Sequence, residues 1–315
     1  MIEWSDEDLM IRDAVRGWID AEVRPNLDAL ESGDLPPYDL LRNLFKTFGM
    51  DEMARASFRA RQERERAGAP SDSGDGDGDG RERSGGNAAM SMLPIIELCK
   101  VAPGLVSAMG VSLGLAAGTI MKRGTPEQRE RWALDLLTFD KIGAWAITEP
   151  GSGSDAFGGM QTTARKVGDE YVINGSKTFI TNGPYADTIV LYCKLDDRPA
   201  GEHGGRDPRD REILTFVLDR GMEGLEQSRP LRKMGLHSSP TGELFLNDVR
   251  AGADRLLASG SGGGKESAKQ NFVTERAGVA AMSLGVIEEC LRMSVEYAKT
   301  RELWGQRIGD FQLIQ

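Results

Sequence analysis

Histidine is nearly missing from these 315 residues: His203 and His237 are the two present. A histidine-rich metal centre is thereby excluded, and a Ser/His/Asp hydrolase would have to be built on one of this pair. Cysteine is almost as scarce. Cys99, Cys193 and Cys290 lie far apart without C-x-x-C spacing, so they read as reduced thiols and not as a disulfide framework. An excess of basic charge is also lacking. The chain has 39 Lys and Arg against 49 Asp and Glu, a net charge of −10, which argues against a nucleic-acid partner needing a basic face. The N-terminus is acidic from Glu3 and fits neither a secretory signal nor an arginine-rich transit peptide, so a cytoplasmic location is expected.

Long uncharged runs are rare too. Val101 to Met121 is long enough to cross a bilayer, and Gly110, Gly114 and Gly118 have the spacing of close helix pairing. Pro103 and the many small residues make it weakly hydrophobic, so it reads as a buried helix and not as a membrane span.

What is present changes character along the chain. Leu9, Ala14, Trp18 and Val23 recur at helical steps up to Pro25, and Leu40, Leu41, Leu44, Phe45 and Phe48 restart the pattern after Pro36-Pro37. Residues 55–88 are poor in apolar side chains and rich in charge and glycine, which predicts a disordered insertion. Asp75, Asp77, Asp79 and Gly80 imitate half a calcium loop, but Gly86 stands where its closing Glu belongs, so no metal is expected. Thr125-Pro126 reads as a helix start. From about 141 the period becomes 2, with Asn174-Gly175 as the strongest hairpin signal. Residues 198–212, which hold His203, read as a polar loop, and 258–264 as a Gly/Ser connector. A long helix follows from about Ser267 to Thr300. Val273, Ala277, Ala280, Leu284, Ile287 and Leu291 form one apolar stripe, and Val279, Met282, Val286 and Met293 a second. Apolar stripes on both sides predict burial between partners.

The order helical, β, helical predicts an α+β fold. Its parts are an N-terminal helical domain over 1–140, a central antiparallel β-barrel or sandwich over 141–255, and the start of a C-terminal helical domain over 265–315. The chain stops at Phe-Gln-Leu-Ile-Gln, partway into a new apolar segment.

Nucleotide motifs fail: the glycines near 258–267 lack phosphate-loop spacing, and 151–158 is not G-x-G-x-x-G. Asn174-Gly175-Ser176 is a glycosylation sequon in form only, in a chain without a visible secretory signal. Two other runs stand out. Trp145 to Asp155 is a strand opening into a Gly/Pro loop with small hydroxyls, and Lys177 to Gly183 is a strand ending in a turn. A planar redox cofactor needs amides and hydroxyls along its polar edge and an aromatic wall on one face, and Gly151 and Gly153 permit close backbone approach.

TEPGSGSD, followed by ING-x-K-x-FITNG, resembles the acyl-CoA dehydrogenase family. LRKMGLHSSPTGELFLNDV resembles that family's strand pair after the flavin site, and the stretch from Thr274 to Gln312 its long C-terminal-domain helix and following turn. The resemblance covers roughly 125–315. It implies a flavoenzyme that desaturates an acyl-CoA, with FAD as cofactor and an electron-transfer flavoprotein as electron acceptor. It places Trp145, Ile147 and Thr148 along the flavin, and Gly153 and Ser154 where flavin and acyl-CoA meet. Phe179, Ile180 and Thr181 fall at the flavin ring.

Arg301, Trp304 and Gln312, from the family's R-x-x-[FW]-G turn onward, imply contact with the FAD of a neighbouring subunit and hence a homo-oligomer, a dimer or tetramer. Glu275 stands where some members carry the catalytic base, and Arg276 where charge would help place substrate. A carboxylate in the first turns of a helix, favoured by the dipole, is the other reading of Glu275. The resemblance also implies a C-terminal bundle incomplete in this chain. An oxygen-using acyl-CoA oxidase and a non-catalytic subunit of the same family remain alternatives.

Overall fold

The computed structural model describes residues 4–67, 92–197, 208–257 and 263–314. The helices are α1 (Asp6–Trp18), α2 (Leu27–Ser32), α3 (Tyr38–Thr47), α4 (Met50–Arg66), α5 (92–99), α6 (Pro103–Gly110), α7 (Gly118–Arg123), α8 (Pro126–Gln128), α9 (Leu134–Leu137) and α10 (Gly263–Thr300). The strands are β1 (Gly143–Ala146), β2 (Thr163–Val167), β3 (Glu170–Thr181), β4 (Thr188–Leu195), β5 (Ile213–Asp219), β6 (Leu225–Gln227), β7 (Thr241–Gly252), β8 (Glu302–Leu303) and β9 (Gln306–Arg307). Two compact units result: Met1–Asp28 with Asp77–Val106 and Arg276–Gln315, and Ala29–Gly76 with Ser107–Glu275. The candidate calcium run at 75–80, His203 and the connector at 258–262 lie outside the described residues.

In the first unit, Ser5 and Asp8 cap α1 reciprocally, each side chain accepting the other's backbone N–H. Val15 and Trp18 are buried on α1, and Leu93, Ile96, Leu98 and Cys99 on α5. Glu97, itself buried, accepts from Arg16 at 2.7 and 3.1 Å and from Lys100 at 2.8 Å. Lys100 also meets Glu288 of α10 at 2.7 Å. Gly285 lets α10 approach α5 so closely that a Cβ there would strike the Ile96 carbonyl. The expectation that α10 is buried on both sides does not hold. Ala281 is buried, but Ile287 and Leu291 are 61% and 63% exposed, and Val279, Val286 and Met293 are exposed too. A helix buries a stripe only where a neighbour lies against it, and among the described residues nothing covers these.

The second unit is built on a seven-stranded sheet, ordered β1-β4-β2-β3-β7-β6 with β5 on β4. The sheet is mixed, not antiparallel throughout. β1 and β2 both run parallel to β4, at Thr188–Leu191 and Lys194–Leu195 of the same strand. β4 is buried along seven of its eight residues, the near-continuous apolar character of a strand covered on both faces. Alternation sorts its side chains. Val190 and Tyr192, with Trp145 of β1 and Val217 of β5, pack against the helical residues Ala116, Ile120, Trp132 and Leu136. Ile189, Leu191 and Cys193 point the other way and join Ile173 of β3 and Leu244, Leu246 and Val249 of β7. Residues of β1, β3, β4 and β7 thus share one interior on that face of a curled sheet, whose strand order stays open.

The segment Pro103–Arg123 has the length and apolar composition to cross a membrane, and half of it is buried inside the protein. The Ser112 Oγ accepts the Gly143 N–H at 2.9 Å, and a Cβ on Gly143 would come within 2.8 Å of Ala116. Thr125 and Gln128 form the helix start read from sequence. Two expectations are corrected. Asn174-Gly175 is not a hairpin: β3 runs through it, with a bulge opposite β7. Gly175 has φ 149°, and a Cβ there would lie 2.5 Å from Thr162 Oγ1, while Asn174 bonds Asp248 through both ends of its amide. Residues 55–66 are helical, not disordered. Phe58 packs into the core with Trp132, Arg55 pairs with Asp140, and Glu65 pairs with Arg61 and Arg129 at 3.0 and 2.8 Å. One buried aromatic and a few ion pairs, two of them to distant segments, order a stretch whose composition alone is polar.

Phe58→Ala is therefore expected to lower stability by about 3–5 kcal/mol, the usual range for a core phenylalanine. Denaturant unfolding measures this, and a loss below about 1 kcal/mol would show that α4 is not packed there.

Candidate functional site

β1 ends at Ala146, and the chain continues along β3. The Thr178 N–H donates to the Thr148 carbonyl at 3.0 Å, so the two runs singled out in the sequence lie side by side. Beneath them Lys177 is fully buried, at 0% side-chain exposure. Its Nζ donates to Glu149 Oε1 at 2.8 Å and to the Ile147 carbonyl at 3.1 Å. Glu149 also accepts the backbone N–H groups of Gln161 and Thr162, at 2.6 and 2.9 Å. Burial by itself would raise the Glu149 pKa. The Lys177 charge and these donors outweigh it and hold the carboxyl below the usual range.

After Glu149 the chain turns sharply. Glu149 and Ser152 exchange backbone hydrogen bonds at 3.1 and 3.0 Å around Pro150-Gly151. Ser152 Oγ then donates to the Asp155 carbonyl at 2.5 Å, beside Gly158 and Gly159, where any Cβ would collide with Asp155 and Ser152. Gly153 and Ser154 are exposed, and a Cβ at Gly153 would meet nothing within 4 Å. The loop is folded from within and open on its outer side.

Farther along β3, the pairing with β7 slips between Lys177 and Ile180. The bulge puts Phe179 at φ 56° and leaves it 69% exposed. A positive φ is costly for an aromatic residue and persists only where its surroundings impose it. Asn182 follows at φ 63°, fully buried. Its Nδ2 donates to the carbonyls of Ala108 and Gly143, at 2.8 and 2.9 Å, and its Oδ1 accepts from the buried Tyr38 hydroxyl at 3.1 Å. Thr148 and Thr181 are half-buried, and Thr181 pairs with Thr241 of β7.

The sequence-derived residues are thus placed as follows. Thr148, Gly153, Ser154, Phe179 and Thr181 are at least partly open. Trp145, Ile147 and Ile180 have buried side chains. Trp145 meets Tyr192 edge-on at 5.0 Å, and Ile180 belongs to the sheet interior. Main-chain groups are therefore the means by which Ile147 and Ile180 can serve a ligand. Arg301, Trp304 and Gln312 belong to the other compact unit and are exposed. Trp304 and Gly305 form the tip of the β8–β9 hairpin, both with positive φ as the mirror-image two-residue turn requires. Trp304 is 86% exposed.

Glu275 is exposed on α10, and partial desolvation raises its pKa. Because α10 begins at Gly263, Glu275 is not in its first turns, and the dipole explanation for a carboxylate there falls away. Arg276, the next residue, is exposed as well. Sequence reasoning passed over Glu149, Lys177 and Asn182 as site-forming residues. A lysine inside a strand otherwise bound for the core, and an asparagine directly after it, were the available signal.

Three segments match domains of one family. Residues 80–140 match the acyl-CoA dehydrogenase N-terminal domain, 144–249 its middle domain and 262–315 its C-terminal domain. The short-chain-specific acyl-CoA dehydrogenase of Megasphaera elsdenii is 36% identical over 231 residues, 73% of this chain and 57% of that protein. The caffeyl-CoA reductase–Etf complex subunit CarC of Acetobacterium woodii is also 36% identical over 231 residues, with 58% of its length covered. The chain thus spans little more than half the length of these relatives. The crystal structure of acyl-CoA dehydrogenase from Geobacillus kaustophilus superposes with a TM-score of 0.74 at 31% identity, covering 99% of this chain and 73% of that one.

Breaking the buried pair, as in Lys177→Met, is expected to cost about 3–5 kcal/mol, because a lone carboxylate is left buried. Replacing both partners, as Lys177→Met with Glu149→Leu, is expected to recover much of that loss. The folded Glu149 pKa is lowered, so its stabilisation is present above the unfolded value of about 4.3 and is lost as pH falls below it. Unfolding measured across acid pH should show a shallower decline for Glu149→Gln than for wild type. By its domain matches and its similarity to these proteins, the chain belongs to the acyl-CoA dehydrogenase family.

Proposed function

We propose that this chain takes part in FAD-dependent α,β-desaturation of an acyl-CoA thioester. The carrying observation is the joined pair of segments, with Phe179 held outward at positive φ beside the half-buried hydroxyls of Thr148 and Thr181. That set fits an isoalloxazine: a ring to lie against one face, and hydroxyls and main-chain amides for its polar edge. Thr148, Phe179 and Thr181, with the main chain at Ile147 and Ile180, would hold the flavin, and Trp145 would support them from the core. Gly153 and Ser154 would border both flavin and substrate. Bound FAD would supply the acceptor for the hydride leaving the β-carbon.

Glu275 takes the α-proton on a carboxylate oxygen in this reading. A raised carboxyl pKa narrows its gap to a weakly acidic carbon, which suits a base. Arg276 orients substrate through its charge. Arg301, Trp304 and Gln312 are exposed and so available to the FAD of a partner subunit in a dimer or tetramer. An electron-transfer flavoprotein is the proposed electron acceptor, in keeping with a relative that belongs to an Etf complex.

The test is spectroscopic. The chain incubated with FAD is expected to retain flavin absorbance after desalting, and acyl-CoA added anaerobically is expected to bleach it. Glu275→Gln should keep the flavin and slow bleaching by ~10²–10⁴-fold. In wild type the rate should rise as pH climbs through a value above the ordinary Glu pKa of about 4.3, and the variant should lose that limb. Retained flavin with unaltered bleaching in Glu275→Gln would remove Glu275 as the base.

A further inference from the structure

On the far side of the Thr181–Thr241 strand pair, a cleft of about 560 Å³ opens between the α2–α3 loop and the chain joining β6 to β7. Arg229, Arg232, Lys233 and His237 line it, with Tyr185, and no carboxylate does. In a chain of net charge −10 this is a local reversal of sign. Among the described residues, no ion pair or side-chain hydrogen bond engages either guanidinium. Elsewhere in this unit arginines do pair with acids, as Arg129 does with Glu65 and Arg255 with Asp219. The nearby carboxylate of Glu31 instead accepts from Ser238 Oγ at 2.6 Å.

The cleft walls are fixed from within. The Leu231 N–H donates to the Thr241 carbonyl at 2.8 Å, and the Ser239 N–H to the Leu236 carbonyl at 2.9 Å. Lys233 Nζ donates to the Ser239 carbonyl at 2.5 Å and to Thr241 Oγ1 at 3.0 Å, which leaves one of its three N–H groups uncommitted. Gly33, at φ 85°, brings the α2–α3 loop to within 3.6 Å of the His237 Cβ, measured from where its own Cβ would stand. Two guanidinium forks, an ammonium and an imidazole on a fixed frame suit an anion with several oxygens better than a single carboxylate. The volume exceeds that of one phosphate and suits a diphosphate with an attached group.

We propose that this cleft binds the diphosphate group of a small phosphorylated molecule, through Arg229, Arg232 and Lys233. The inference does not rest on the flavin reading above. Two sources share this chemistry: a free nucleotide and the phosphorylated end of a CoA thioester.

Calorimetric titration of the chain with pyrophosphate, ADP and CoA, beside the variant R229A/R232A, tests the proposal. Both arginines are exposed, so the variant is expected to unfold at an unchanged denaturant midpoint. Pyrophosphate and ADP should bind wild type with Kd below about 1 mM and the variant at least about tenfold more weakly. If CoA binding weakens equally, the source is the substrate's own phosphates. If CoA binding is unchanged while pyrophosphate binding is lost, the ligand is a free phosphorylated molecule. Absence of pyrophosphate binding to wild type, or equal binding to both proteins, overturns the proposal.

Discussion

Lys177 places an ammonium where water does not reach, and the candidate site is arranged around the consequence. A buried charge is tolerated only when it is paired and its donors are used. Glu149 supplies the pair, and the Ile147 carbonyl a second acceptor. Both acceptors lie on the strand extension that precedes the Pro150-Gly151 turn, while the donor lies on β3. The ion pair therefore fastens one motif to the other. Glu149 in turn needs more donors than one lysine can give, and it takes the amides at 161 and 162. That draws the far end of the glycine loop back to its start. A loop of this composition, left to itself, would sample many conformations. Here both ends close on one carboxylate, and the exposed middle, at Gly153 and Ser154, is what remains available.

The second constraint is the bulge after Lys177. A regular strand alternates, so Phe179 would share a face with Lys177 and be buried. The slip in pairing against β7 re-aims it outward, as bulges do near functional sites. Asn182 then stops the strand by satisfying three partners from three elements, α3, α6 and the start of β1. The same side chain that ends β3 thus ties the sheet to the helices beside it. An asparagine tolerates its left-handed backbone better than most residues, which suits it to this position.

Much of this was legible beforehand. Helical periodicity located α1 and α3, and Pro36-Pro37 marked the break between α2 and α3. The Thr125-Pro126 cap and the change of period near 141 were each visible because they are local. The resemblance drew attention to Thr148, Phe179 and Thr181 before any geometry was known. The failures were also physical. Asn174-Gly175 has the composition of a tight turn, but Thr162 and Asp248 across the sheet hold it in a strand. Residues 55–66 look solvated, but Phe58 and a few long-range ion pairs order them. The helix-start alternative for Glu275 fails because the beginning of α10 lies in a glycine-rich stretch that composition reads as a connector.

By itself the sequence determined the α+β class, the order of its blocks, the caps and the residue types offered at each motif. These follow from short-range rules: the 3.6 and 2 periodicities, proline's fixed φ, and side-chain caps reaching three residues ahead. Tertiary structure alone decided which strands pair with β4 and in which direction. It also decided that Lys177 is buried and paired, that Phe179 faces outward, and that both apolar stripes of α10 are largely exposed among the described residues. Each of these depends on a partner far away in the chain. A side chain's burial, charge state and direction are set by what packs against it, and nothing in its own neighbourhood of sequence names that partner.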